Sequence, residues 1–174
     1  RTSGDKRSKS GITLFMVDIK SEGITLQNYP TIDEYRASEV VIENLKVSKD
    51  NILGSIDGSY EAIEEQIDLS TIAVCSEAVG ILQVLKDSTN DYCKNRKQFG
   101  QPIGANQVIK HRLVDMMIEY EQAKSILYMA VTADLSNPIE RRKAASAAKA
   151  RIGKAIKFVG ENAIQLHGGM GVVD

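Results

Sequence analysis

Cysteine, histidine and net charge are all scarce in this sequence. The 174 residues include two cysteines, Cys75 and Cys93, and two histidines. Two cysteines are too few for a disulfide scaffold, and with the histidines they form no metal-ligand spacing, so we predict no metal site and a reducing compartment. A formal net charge of −1 argues against nucleic acid or an anionic membrane as the main partner.

Long apolar runs are missing as well. No apolar run reaches the roughly 18 residues that a transmembrane helix needs, so we expect no membrane span. Hydrophobic residues make up 43% of the chain and charged residues 26%, the balance of a globular protein. The sequence begins with Arg1, without signal or transit segment, and stops at Asp174 just after a glycine cluster. We therefore expect a piece of a longer protein.

Short apolar runs separated by turn residues characterise the first 55 residues. Residues 12–17 follow Gly11 without polar alternation, which predicts a strand buried on both faces. Residues 24–26 and 39–43 predict two more short strands. We therefore interpret residues 1–55 as part of an antiparallel β-domain that is incomplete in this sequence.

From about Tyr60 the apolar period changes from 2 to 3.6. The pattern predicts a first helix that is apolar on all sides and central, and a second from about Asn106 to Leu135. A third begins at Pro138, with Asn137 as its N-cap. Long helices with short connections predict an antiparallel bundle for residues 56–174. The predicted fold class is α+β, mainly a helical bundle preceded by a few strands.

Residues 92–104 are the first candidate ligand segment. Arg96 suits a bidentate contact with a phosphate, Gln98 can hydrogen-bond one, and Phe99 can stack on a flat ring. Alternatively, the segment is only the end of a long helix, with cations that complement its dipole and Gly100 as its C-terminal cap. The residues alone leave both interpretations open.

Residues 165–171 are the second candidate segment and contain three glycines in four positions. Such a segment allows backbone to approach a ligand closely and its N–H groups to hold an anion. The alternative is a helix C-cap followed by a turn. Taken alone, the segment favours this alternative because it follows a helix and is not a GxGxxG motif.

Together the two segments resemble the acyl-CoA dehydrogenase family. Residues 92–107 are followed about 60 residues later by 163–171, and residues 11–18 and 39–47 are similar to the end of that family's middle domain. The resemblance implies a flavoprotein that removes two hydrogens from the Cα–Cβ bond of an acyl-CoA thioester, giving the trans-2-enoyl-CoA. It also implies that FAD takes the hydride and that an electron-transfer flavoprotein reoxidises it.

The resemblance implies roles for individual residues. The positions that match FAD contacts are Arg96, Lys97, Gln98, Phe99, Asn106, Gln107, Gln165, Leu166, His167, Gly168 and Gly169. The positions that match the stretch meeting the acyl-CoA are Asp68, Leu69, Ser70 and Thr71, the last where relatives often carry arginine. Because this domain usually reaches FAD held mainly by the neighbouring subunit, the resemblance implies a homodimer or homotetramer. It implies the bacterial cytoplasm or the mitochondrial matrix as the location.

The resemblance leaves the catalytic base outside this sequence. The chemistry needs a carboxylate beside the substrate α-carbon. In most relatives this glutamate lies in a segment beyond Gly171, and in a minority it lies at the position of Ser70, where a serine cannot serve. We expect the base beyond Asp174 and an inactive isolated chain. The alternative is a subunit without a base that pairs with a competent one.

Two other functions stay open on the sequence. One is a non-enzymatic helical interaction module, in which neither glycine-containing segment would bind a ligand. The other is an acyl-CoA oxidase or flavin monooxygenase of the same superfamily. Residues 140–143 are interpreted as a solvated first turn, and Tyr120, Tyr128 and the methionines as core. We also expect an apolar face of the bundle to be exposed in this chain.

Overall fold

The computed structural model describes residues 1–173, which fall into two compact units. The strand unit comprises Arg1–Glu64, and the helical unit begins at Glu65. The predicted fold class, a helical bundle preceded by a few antiparallel strands, is confirmed. The domain boundary predicted after residue 55 stays a prediction.

The strand unit contains four short strands, which form two separate antiparallel pairs, and a single 3-10 turn at Lys49–Asn51. The strands are β1 (Leu14–Phe15), β2 (Ile24–Pro30), β3 (Arg36–Ile42) and β4 (Ile52–Leu53). β2 and β3 form a hairpin whose register runs from Ile24 opposite Ile42 to Pro30 opposite Arg36. β1 pairs with β4 over two residues. The strands predicted at 24–26 and 39–43 therefore exist and pair with each other.

The prediction of a strand buried on both faces at residues 12–17 is wrong. β1 comprises only Leu14 and Phe15, and these side chains are 37% and 36% exposed. A neighbouring strand pairs at the edge of a strand, so covering both faces requires packed layers, and the exposure of these side chains shows that the described residues do not supply both layers. Continuous apolar sequence was therefore an unreliable sign of burial at this position.

The helical unit contains three long helices, and the first of them begins at Tyr60, before the unit boundary at Glu65. They are α1 (Tyr60–Asn95), α2 (Gln107–Val131) and α3 (Pro138–His167). Asn137 is the N-cap of α3, since its side chain accepts hydrogen bonds from the Ile139 and Glu140 amides at 3.0 and 3.4 Å. The predicted cap and the helix start at proline are thus confirmed. α2 ends at Val131, four residues before the predicted Leu135.

The hydrophobic core lies between the helices, and alanine supplies much of it. Within residues 1–173 every buried hydrophobic side chain belongs to residues 72–166. α3 places Ala145, Ala148, Ala155 and Ala163 on its buried face, with Ile152 and Val159 between them. Small side chains let helix axes approach closely, so this face packs against its neighbours with little lost space.

One face of α1 is exposed in this structure. Ile67 and Val74 are 59% and 64% exposed, and Ile81 and Val84 are exposed on the same helix. The prediction that α1 is a central helix is therefore wrong for the described residues, and the prediction of an exposed apolar face is confirmed. Tyr120 is buried as predicted, whereas Tyr128 is exposed.

α1 is also long and apolar enough to cross a membrane by length and composition. An 18-residue window of it has a mean hydropathy of 1.5 and no more than two charged residues. Serine, threonine and glycine interrupt the apolar residues, so no uninterrupted apolar run has this length, and the expectation of no membrane span stays a prediction. Core helices of soluble domains satisfy the same criterion, so this property alone is weak support for a membrane span.

Candidate functional site

The first candidate segment is a β-hairpin that follows directly after α1. β5 (Lys97–Gln98) pairs with β6 (Gln101–Pro102), and Phe99 and Gly100 form the two-residue turn between them. Both turn residues have positive φ, 53° and 81°, as a tight hairpin turn of the primed kind requires. Gly100 is therefore a hairpin residue, and the alternative in which it caps α1 is wrong.

The hairpin presents its side chains to solvent. Arg96, Lys97, Gln98 and Phe99 are all exposed, and Phe99 has no contact that covers its ring. The Ile103 amide donates to the Arg96 carbonyl at 2.9 Å, which closes the base of the hairpin. The guanidinium, ammonium, amide and aromatic groups of these four side chains therefore lie on a hydrogen-bonded hairpin, where they are free to contact a ligand.

The chain returns to the end of α1 before α2 begins. A Cβ at Gly104 would lie 2.9 Å from the Cys93 carbonyl oxygen, so only glycine allows this approach. Asn106 precedes the first turn of α2 and donates from its amide to the Ile103 carbonyl at 3.0 Å, without capping the helix. Gln107, the first residue of α2, is exposed.

The second candidate segment is the C-terminal end of α3. Gly168 has φ 61° and ψ −136°, a conformation that favours glycine, and its amide donates to the last carbonyls of the helix. A Cβ at Gly169 would meet nothing within 4 Å, so the backbone there is open to a ligand. Gln165 is exposed, whereas Leu166 is buried in the core. Leu166 therefore offers only its backbone to a ligand.

A ring contact joins the two candidate segments. The Tyr92 and His167 rings stack with centroids 4.3 Å apart and an angle of 28° between their planes. The Tyr92 hydroxyl also donates to the His167 carbonyl at 3.4 Å. His167 Nδ1 lies 2.8 Å from the Ala163 carbonyl and donates to it, since a carbonyl only accepts. Residues 75 positions apart are thereby held together.

The predicted substrate stretch divides between two faces of α1. Ser70 and Thr71 line a cavity of about 340 Å³, which we call the α1 cavity. Its other lining residues are Gln66, Ile67, Val74, Cys75 and Lys149. Leu69 is half-buried and does not line the cavity. The lining offers hydroxyls, one amide, one ammonium group and an apolar wall, and no carboxylate.

Asp68 points away from the α1 cavity, into the bundle. Its Oδ2 lies 3.5 Å from Arg141 Nε, and Arg141 is only 4% exposed. The prediction that residues 140–143 form a solvated turn is wrong for Arg141. The signal was present in the sequence, because Arg141 extends the buried stripe of Ala145, Ala148 and Ile152 by one helical step.

Burial controls the electrostatics of the two cysteines. It raises the pKa of the Cys75 thiol, an effect that the positive charge of Lys149 partly opposes. Burial alone raises the pKa of the Cys93 thiol. Both thiols therefore stay protonated near neutral pH and act as core side chains. In residues 1–173, no three His, Cys, Asp or Glu side chains are grouped so as to hold a metal.

Comparison with known families assigns the chain. The family described as "Acyl-CoA dehydrogenase, C-terminal domain" matches residues 58–174. The chain belongs to the acyl-CoA dehydrogenase family. Members of this family are flavin-dependent oxidoreductases.

Three relatives illustrate the range within the acyl-CoA dehydrogenase family. The caffeyl-CoA reductase–Etf complex subunit CarC of Acetobacterium woodii is 31% identical over 94% of this chain and 44% of that protein. Butyryl-CoA dehydrogenase from Megasphaera elsdenii has a TM-score of 0.84 and 25% identity over 99% of this chain and 45% of its own. The prolyl acyl carrier protein oxidase AnaB has a TM-score of 0.86 and 27% identity over 95% and 44%. The chain therefore spans less than half the length of these relatives.

The residues present fit the flavin that the acyl-CoA dehydrogenase family implies. The hairpin displays a guanidinium, an ammonium and an amide group, the donors that a pyrophosphate accepts, beside an uncovered aromatic ring. The open backbone at Gly169 lies on the segment that the Tyr92–His167 stack joins to the end of α1. The donor chemistry and the open backbone are both appropriate to a dinucleotide.

Proposed function

We propose that the full-length protein carrying this chain is an FAD-dependent acyl-CoA dehydrogenase. It would oxidise the Cα–Cβ bond of an acyl-CoA thioester to the trans-2-enoyl-CoA. The observation that carries the proposal is the Tyr92–His167 stack, because it holds the two segments that match the family's cofactor positions against each other.

In this proposal, Arg96, Lys97 and Gln98 bind the FAD pyrophosphate and Phe99 packs against the cofactor. Asn106 and Gln107 supply amide groups from the start of α2, and Gln165 to Gly169 hold the ADP part through side chains and open backbone. When bound, FAD supplies the hydride acceptor that no protein side chain provides. The fixed hairpin backbone limits the entropy that these contacts would cost.

The α1 cavity is the proposed place of the acyl thioester. Ile67, Val74 and Cys75 give an apolar wall for the acyl chain, and Ser70 and Thr71 give polar groups. The Thr71 hydroxyl already donates to the Ile67 carbonyl at 2.8 Å, which leaves its oxygen as an acceptor. Because the cavity lining contains no carboxylate, the proposal still requires the base that we predict beyond Asp174.

The decisive experiment is anaerobic mixing of the purified full-length protein with a panel of acyl-CoA thioesters. We expect a yellow protein whose visible flavin absorbance is lost on mixing, with formation of the matching enoyl-CoA. Reoxidation by an electron-transfer flavoprotein, and slow reaction with oxygen, would support the dehydrogenase assignment. A colourless protein that binds no FAD would overturn the proposal in favour of an interaction module.

The direction of electron flow is the second point to test, since the relatives include a reductase and an oxidase. A reductase would show turnover of an enoyl-CoA with a reduced electron carrier and little oxidation of acyl-CoA. An oxidase would consume oxygen at the rate at which it consumes acyl-CoA. Either result would keep the flavoprotein assignment and replace the proposed reaction.

We also propose a homo-oligomer. The exposed apolar side chains of α1 and α2 outside the α1 cavity, among them Ile81, Val84 and Met117, are a surface that a further protein segment would cover. Sedimentation of the full-length protein tests this directly, and a monomer at micromolar concentration would exclude it.

A further inference from the structure

The most deeply buried charge in the helical unit is Arg141. It is 4% exposed, near the start of α3, and its Nη1 donates to the Leu135 carbonyl at 2.9 Å. Its Nε lies 3.5 Å from Asp68 Oδ2, and its Nη1 lies 3.9 Å from Glu65 Oε1. One guanidinium thus connects the segment before α3 with two carboxylates on one turn of α1.

The contact to Asp68 is an ion pair without an ideal hydrogen bond. Asp68 Oδ2 and Arg141 Nε are both buried without a hydrogen-bond partner in the described residues. A buried charge that lost its partner would stay desolvated and unpaired, which strongly favours keeping the two groups together. The pair therefore restrains the position of Asp68 more than its length suggests.

Asp68 shares a helical turn with the residues that face the α1 cavity. Ser70 and Thr71 follow it by two and three positions and line that cavity. The same turn exposes Ile67, so little hydrophobic packing holds its outer face. The restraint on this turn comes from the inner face, through Asp68.

We propose that Arg141 is a positioning residue, which fixes through Asp68 the turn of α1 that presents Ser70 and Thr71 to the ligand. Asp68 then acts from inside the bundle and does not contact the ligand. The proposal rests on the proposed function for the identity of the ligand, an acyl thioester, but the restraint on the turn stands without it.

The test compares two arginines of α3 in the full-length protein. Arg141→Met removes the charge and keeps much of the volume. Arg151→Met is the matched control, because Arg151 also forms an ion pair, 2.7 Å from Glu119, but with α2. Arg141→Lys and Asp68→Asn are the second variants, needed if Arg141→Met does not fold. The readouts are KM and kcat for acyl-CoA, amide exchange of residues 65–75, and the thermal midpoint.

We expect Arg141→Met to raise KM about tenfold or more with kcat little changed, because a misplaced binding group weakens ground state and transition state alike. Exchange should accelerate at residues 65–75 and not at residues 107–131. Arg141→Lys should recover part of the KM effect, and Asp68→Asn should reproduce the loss. Arg151→Met should lower the thermal midpoint and leave KM unchanged.

Equal KM values for Arg141→Met and Arg151→Met, or exchange that rises uniformly along the chain, would overturn the proposal. A full-length protein that does not turn over any acyl-CoA would remove the proposed function instead. In that case the exchange of residues 65–75 still decides whether Arg141 restrains the turn, so the two failures are distinguishable.

Discussion

The strand unit and the helical unit use apolar residues in different ways. In the helical unit, side chains such as Leu82, Met116 and Ile152 are removed from water by neighbouring helices. In the strand unit, Val40, Val41 and Ile42 stand on a regular hairpin with about half of each side chain exposed. The hairpin has its full ladder although these side chains are half exposed, whereas burial requires a second layer, which only the helices provide within residues 1–173.

The largest expected effect tests burial directly. Leu82→Ala removes a fully buried side chain and should lower the free energy of unfolding of this chain by about 2–5 kcal/mol. Val41→Ala, on a half-exposed strand, should cost less than about 0.5 kcal/mol. Urea unfolding followed by circular dichroism measures both. A large cost for Val41→Ala in the full-length protein, but not in this chain, would show that another segment covers the hairpin.

The next effect concerns the ligand contacts that the proposed function assigns to the helical unit. Arg96→Ala should weaken FAD binding by the full-length protein about 10–150-fold, the loss of a charge-assisted bond worth about 1.5–3 kcal/mol. Arg36→Ala, an exposed arginine of β3, is the matched control and should leave flavin affinity unchanged. Flavin content after dialysis is the measurement. Normal retention by Arg96→Ala would remove Arg96 from the cofactor site.

A smaller effect compares the helix caps of the two units. Asn137→Ala should destabilise the chain by about 1 kcal/mol, because two amides of a 30-residue helix lose their acceptor. Ser48 caps a single three-residue turn, with its hydroxyl 3.0 Å from the Asp50 amide. Ser48→Ala should cost less, since little structure depends on that turn. Thermal unfolding of the two variants measures which of them loses more stability. A larger drop in the thermal midpoint for Ser48→Ala than for Asn137→Ala would contradict the prediction.

The smallest effects are the responses to pH, which should differ in direction between the units. Hydrogen bonds from Thr2 and Ser3 lower the pKa of the Asp57 carboxyl in the folded state. The contribution of Asp57 to the free energy of unfolding is therefore present above about pH 3.8 and is lost as pH falls below it. Burial raises the pKa of the Cys75 and Cys93 thiols, because the folded state disfavours the thiolate. Their contribution to the free energy of unfolding is therefore present below about pH 9.0 and is lost as pH rises above it.

Urea titrations followed by NMR resonances of each unit measure these two responses. Asp57→Asn should flatten the acid response of the strand unit, and Cys93→Ala should reduce the alkaline response of the helical unit. An acid response that persists in Asp57→Asn would assign it to another carboxylate.

Local patterns predicted much of the helical unit. The 3.6-residue period located all three helices, and Asn137-Pro138 fixed the start of α3, because capping and proline geometry act within one turn. The same method failed for residues 12–17, where an apolar run indicates only that burial would be favourable. It also failed for Gly100, since a glycine with positive φ suits both a helix cap and a hairpin turn.

By itself, the sequence determined the helices, the hairpin strands and the residue types that make a dinucleotide and acyl-thioester site chemically reasonable. Only the tertiary structure decided that Tyr92 stacks on His167 and that Arg141 pairs with Asp68. These pairs lie more than 70 positions apart, so no local period or turn signal connects them. Their contacts depend on how whole helices pack, which is set by the summed burial of many side chains and not by any short segment.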